Sequence, residues 1–72
     1  MEFTIILEPD DETEGFTVLV PALPGCVTQG RSRDEAIERA KEAIAANIES
    51  LEADGEPVPE ETQPIEVLKV AV

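Results

Sequence analysis

With 72 residues, one cysteine and no histidine, the chain has room for a single small domain and excludes both an internal disulfide and a zinc site of the usual Cys/His kind. Seventeen acidic against five basic side chains leave a formal net charge of −12, which repels phosphate backbones and argues against direct nucleic-acid binding by this domain alone. A hydrophobic content of 42% is too high for a disordered acidic tail, so the acids clothe a folded core and suit a cationic partner as well as plain solubility.

Met1-Glu2 leads straight into a strand pattern without a basic stretch and apolar leader, and no apolar run approaches ~18 residues. A cytoplasmic protein with no membrane contact is expected. Over Glu2 to Glu8, Phe3, Ile5 and Leu7 alternate with Thr4 and Ile6, the period of a strand with one strongly apolar face. The acidic run Pro9 to Gly15 reverses the chain. Phe16, Val18 and Val20 then alternate with Thr17 and Leu19 in a second strand, which Pro21 ends because proline cannot donate to a ladder. Pro24-Gly25 is a type II turn pair, proline presetting φ and glycine accepting positive φ. A short third strand follows over Cys26 to Gln29, and Gly30 releases the chain toward Ser32, which forms a capping box with Glu35.

From Arg33 to about Asp54 the period becomes helical, with Ile37, Ala40, Ile44, Ile48 and Leu51 sharing one face and Gly55 as the stop. Glu56 to Pro64 is a stiff, acidic connection with three prolines. Ile65 to Val72 reads as a last strand, Leu68, Val70 and Val72 alternating with Val67, Lys69 and Ala71. The expected architecture is a single α+β domain over residues 1–72, β-β-β-α-β, with an antiparallel meander. The right-handed crossover brings the fourth strand parallel to the first, in the order 3-2-1-4. One helix covers one sheet face. The other face carries Thr4, Ile6, Thr17 and Leu19, too apolar to stand in water over a wide area, and is the expected interface of a homo-dimer or higher oligomer. A chain this short buries only ~60% of its unfolded surface, and self-association is its remaining route to stability.

Catalytic groups are scarce. Cys26 has no imidazole to activate it and reads as a small core residue, and no phosphate-binding glycine loop, cofactor site or metal site is legible. A β-β-β-α-β order is the leading part of the ribonuclease H topology, whose active members hold two Mg²⁺ on acids of the first strand, the helix and the fourth strand. Here the centre of the first strand is Thr4-Ile5-Ile6, with Glu2 and Glu8 only at its ends and Glu66 near the start of the last. A metal-dependent nuclease is therefore the lesser alternative, beside an oligomeric structural domain with solubilising acids. The helix does carry a pattern: Glu35, Glu38, Glu42, Glu49 and Glu52, with Asp34, fall on one flank of its apolar face, a candidate surface for a basic protein, while Ala36, Ala43, Asn47 and Ser50 form an opposite flank of small residues.

Phe16-Thr17-Val18, then Pro21-Ala22-Leu23-Pro24-Gly25-Cys26-Val27-Thr28-Gln29-Gly30, Ser32, Asp34-Glu35-Ala36, Ala40, Glu42 and Ala43 together resemble the HicB-like antitoxin family. The resemblance implies a degenerate ribonuclease H-like fold that neutralises a small basic toxin, HicA, an mRNA-cleaving ribonuclease with a double-stranded-RNA-binding-like fold. An acidic inhibitor covering a basic RNA-binding surface agrees with the charge. Many members carry a C-terminal ribbon-helix-helix or helix-turn-helix domain. None is expected here, since the sequence stops at its fourth strand.

Overall fold

Alternation and turn chemistry produce three of the expected strands. In the computed structural model, which describes residues 1–72, β1 spans Ile6–Pro9, β2 Phe16–Leu19 and β3 Val27–Gly30, and one helix, α1, follows over Arg33–Ala53. The strands form one antiparallel sheet in the order β1-β2-β3. Ile6 lies opposite Leu19 and Leu19 opposite Val27, while Val18 lies between Leu7 and Thr28. Directly opposed residues share a face. Leu7, Phe16 and Val18 therefore look toward α1, and Ile6, Glu8, Thr17, Leu19, Val27 and Gln29 look outward. No helix is long and apolar enough to cross a membrane.

The punctuation acts locally as its chemistry requires. Across Pro24-Gly25 the Leu23 carbonyl accepts the Cys26 N–H at 2.9 Å, and Gly25 holds φ +82°, the positive angle a type II turn demands at that place. Ser32 caps α1, its Oγ accepting the Glu35 N–H at 3.1 Å. Glu35 departs from a strict capping box by reaching one residue further back, to the Arg31 N–H at 3.2 Å. At the other end the Gly55 N–H meets the Glu52 carbonyl at 3.1 Å and the Glu56 N–H meets that of Leu51 at 2.9 Å, a Schellman closure.

The core is built from small residues, and this changes which helix face is buried. Val18, Ala36 and Ala40 form one buried cluster, and Val20, Leu23 and Cys26 the other. Gly30 explains the first: a Cβ there would collide with the backbone N and Cα of Ala36, so β3 and the first turns of α1 are in backbone contact. With α1 lying on β3 and β2 in this way, Ala36 is completely buried, whereas Ile37, Ile44, Ile48 and Leu51 are only half-buried. Of the expected face, Ala40 is buried and Ile44 and Leu51 pack against the second cluster. Ile37, Ile44 and Ile48, with Met1, Phe3 and Ile5, line an open groove of about 410 Å³ on the β1 side. Ala36 and Ala43, two of the four residues of the small-residue flank, make core contacts.

The fourth strand of the expected 3-2-1-4 sheet is absent. Residues 65–72 have no regular structure, and Val67, Leu68 and Val70 are at least 73% exposed. Two local causes are visible. The Glu61 carboxylate accepts hydrogen bonds from both the backbone N–H and the hydroxyl of Thr4, the latter at 2.8 Å, which ties the chain's own connection down ahead of β1 while the β1 edge itself stays unpaired. Pro57, Pro59 and Pro64 stiffen the approach and withhold three backbone donors. The first strand is correspondingly shorter than expected, starting at Ile6 rather than Glu2.

Candidate functional site

Two surfaces concentrate the residues singled out from the sequence. The first is the exposed side of α1. Its N-terminal half is charge-balanced from within: Arg31 pairs with Glu35 at 3.3 Å, Lys41 with Glu38 at 3.2 Å and Arg39 with Glu42 at 3.8 Å. The hydrogen bonds from the Arg31 side chain, then from its backbone, hold the Glu35 carboxyl below the ordinary range, so it stays ionised as part of the cap. Glu35 is therefore largely committed to α1 itself.

The C-terminal half differs. From Glu42 to Glu66 the chain carries eight acids and no base. Glu49 and Glu52 are exposed and unpaired, and the last turn of α1 holds no basic side chain. Acids here face the negative end of the helix macrodipole, an arrangement that costs roughly 0.3–1 kcal/mol per charge. Of the five glutamates read as one stripe, only these two present uncompensated charge.

The second surface is the outer sheet face. Ile6, Leu19 and Val27 form a cross-strand apolar row, with Val27 56% exposed, and Glu8, Thr17 and Gln29 form the polar row beside it. The apolar row opens into a recess of about 310 Å³ floored by Val20, Leu23 and Cys26 and rimmed by the Pro21 to Gly25 loop. Ile6, Thr17 and Leu19 thus lie together as expected. Thr4 precedes β1 and its hydroxyl is engaged by Glu61, so it does not join them. Val27 and the proline loop were missed from the sequence. Their signal was present in the register that a three-strand meander imposes on Val27.

No group of three or more His, Cys, Asp or Glu side chains stands close enough to hold a metal ion. Cys26 lies in the core beside Val20 and Leu23, and burial pushes its thiol up, away from the reactive thiolate. A polar recess of about 510 Å³ is lined by Asp10, Thr17, Thr28, Gln29, Arg31, Glu35 and Arg39. What the molecule offers is surface: an acidic helix end and an apolar sheet face.

Known proteins resemble this chain in sequence and in fold. Residues 3–71 match the family model described as the HicB-like antitoxin of bacterial toxin-antitoxin systems. A UPF0150 protein of Thermoplasma acidophilum is 48% identical over 59 residues, covering 82% of this chain and 84% of the relative. Antitoxin HicB 1 of Photorhabdus laumondii is 37% identical over 82% of this chain, which spans only 37% of that longer protein. The crystal structure of the N-terminal domain of Burkholderia pseudomallei antitoxin HicB superposes with a TM-score of 0.77 at 36% identity, covering 89% of this chain and 74% of that one. Sequence match and fold agree, and the chain belongs to the HicB-like antitoxin family.

Proposed function

We propose that this protein is a non-enzymatic antitoxin that sequesters a small basic ribonuclease toxin of the HicA type. The observation that carries the reading is the unopposed acidity of Glu49, Glu52, Asp54 and Glu56, placed where it works against α1. Charge kept at the wrong end of a helix dipole is explained by a cationic partner. The name of the Photorhabdus relative and the family description support the antitoxin role. In this reading the order β1-β2-β3-α1 is a ribonuclease H-like scaffold without its metal acids. The domain itself makes no nucleic-acid contact, and inhibition takes place in the cytoplasm, where the toxin meets mRNA. The apolar outer row Ile6, Leu19 and Val27, with Thr17 beside it, serves self-association.

Binding kinetics on immobilised toxin at low and high salt test the charge argument. Electrostatic steering makes association fast and salt-dependent. Replacing Glu49 and Glu52 by Gln is expected to slow the on-rate and flatten its salt dependence. Replacing Glu38 and Glu42, already paired with Lys41 and Arg39, is expected to do less. An on-rate indifferent to Glu49 and Glu52 would show that the toxin docks elsewhere.

A further inference from the structure

We propose that residues 65–72 of one copy pair along the open edge of β1 in a second copy, setting Leu68, Val70 and Val72 into its α1 groove, with the exchange returned by the partner. The inference does not depend on the toxin reading. It rests on two incomplete features of one chain that fit each other. The tail has strand alternation and exposed apolar side chains, Val70 at 83%, yet nothing to pair with. The sheet ends at β1, whose outer edge is unpaired, and the half-buried Ile37, Ile44 and Ile48 stand in the groove beside it with Phe3 and Ile5. Open edges and apolar grooves of this kind are what added strands occupy.

The tail does not close on its own molecule. Glu61 is pinned to Thr4, Pro64 follows at once, and beyond the half-buried Ile65 every residue is exposed. The radius of gyration is 13.6 Å, against ~11 Å for a compact chain of this length. A tail held off its own edge is free for the same edge of another copy, which is the condition for reciprocal exchange. Charge fits the pairing, because Lys69, the only base beyond Lys41, approaches a β1 edge that carries Glu8 and is followed by Asp10.

Two measurements on the full chain decide it. Sedimentation equilibrium is expected to show a dimer that tightens as salt rises, since two copies of charge −12 repel. This is the opposite of the salt dependence expected for toxin binding, so the two readings fail separately. Replacing Leu68 and Val70 together by Asp is expected to abolish the exchanged dimer, leaving only such association as the outer row supports, with unchanged helical circular dichroism because both side chains are exposed within one copy. In a mixture of ¹³C-labelled and unlabelled chains, filtered NOEs are expected between the methyls of Val70 or Leu68 and those of Ile44 or Ile48. A monomeric wild type, a dimer insensitive to the two Asp substitutions, or such NOEs arising only within one chain would each overturn the exchange.

Discussion

Gly25 and Gly30 do different work, and their substitutions separate it. A Cβ on Gly25 meets nothing within 4 Å, so its constraint is the backbone angle of +82° alone. Gly25→Ala should cost about 1 kcal/mol, the strain of a left-handed residue. Gly30→Ala places a methyl into the backbone of Ala36, with no flexible neighbour to yield. It should cost about 3 kcal/mol or more, as overpacking does where nothing can relax, and open the contact between β3 and α1. Urea denaturation of both variants checks the order; equal losses would contradict the close approach. Glu35 gives a pH signature at the same scale. Its carboxyl is held below its unfolded range by Arg31, so its contribution is complete above the ordinary carboxylate value and is lost as pH falls through the lower, folded one. The stability gap between wild type and Glu35→Ala should therefore be widest near neutrality and narrow in acid. A gap constant with pH would remove the ionic part of the cap.

For the elements, α1 carries the clearest conflict between stability and use. Glu52→Gln removes an acid from a last turn that holds no compensating base, and should raise stability by about 0.5 kcal/mol at low salt. Thermal melts at two salt concentrations read this, and a loss of stability would mean that Glu52 has a structural partner. The strands and the helix were legible because their signals are local: alternation, the Pro24-Gly25 turn, Ser32 with Glu35, and Gly55 after the last turn. The orientation of α1 was not. The isoleucines at helical spacing read as the core face, but Gly30 brings the backbones so close that only Ala36 and Ala40 fit between them, and the isoleucines turn toward β1. The fourth strand failed for a related reason. Alternation in residues 65–72 reports a capacity to pair, while pairing needs a connection that reaches the edge, and in the same chain Glu61 is tied to Thr4 ahead of it.

At the scale of the whole molecule, eight buried residues leave a core too small to account for the apolar surface around it. The remaining apolar area is grouped in two places, the outer row of Ile6, Leu19 and Val27 and the groove along α1 with the tail that matches it. Acid dominates the rest. The candidate site was partly legible: Ile6, Thr17 and Leu19 fall together because a period of two and an antiparallel register leave no other arrangement. The acidic stripe was over-read, since pairing by Arg31, Arg39 and Lys41 depends on side-chain reach that spacing alone does not supply. An acidic surface on a member of this family has one direct test. Purified chain is titrated into an mRNA-cleavage assay of a purified small basic toxin of the HicA type. Cleavage should fall to background near stoichiometric addition, and fail to do so when Glu49 and Glu52 are replaced by Lys. Undiminished cleavage at saturating wild-type chain would contradict the antitoxin role.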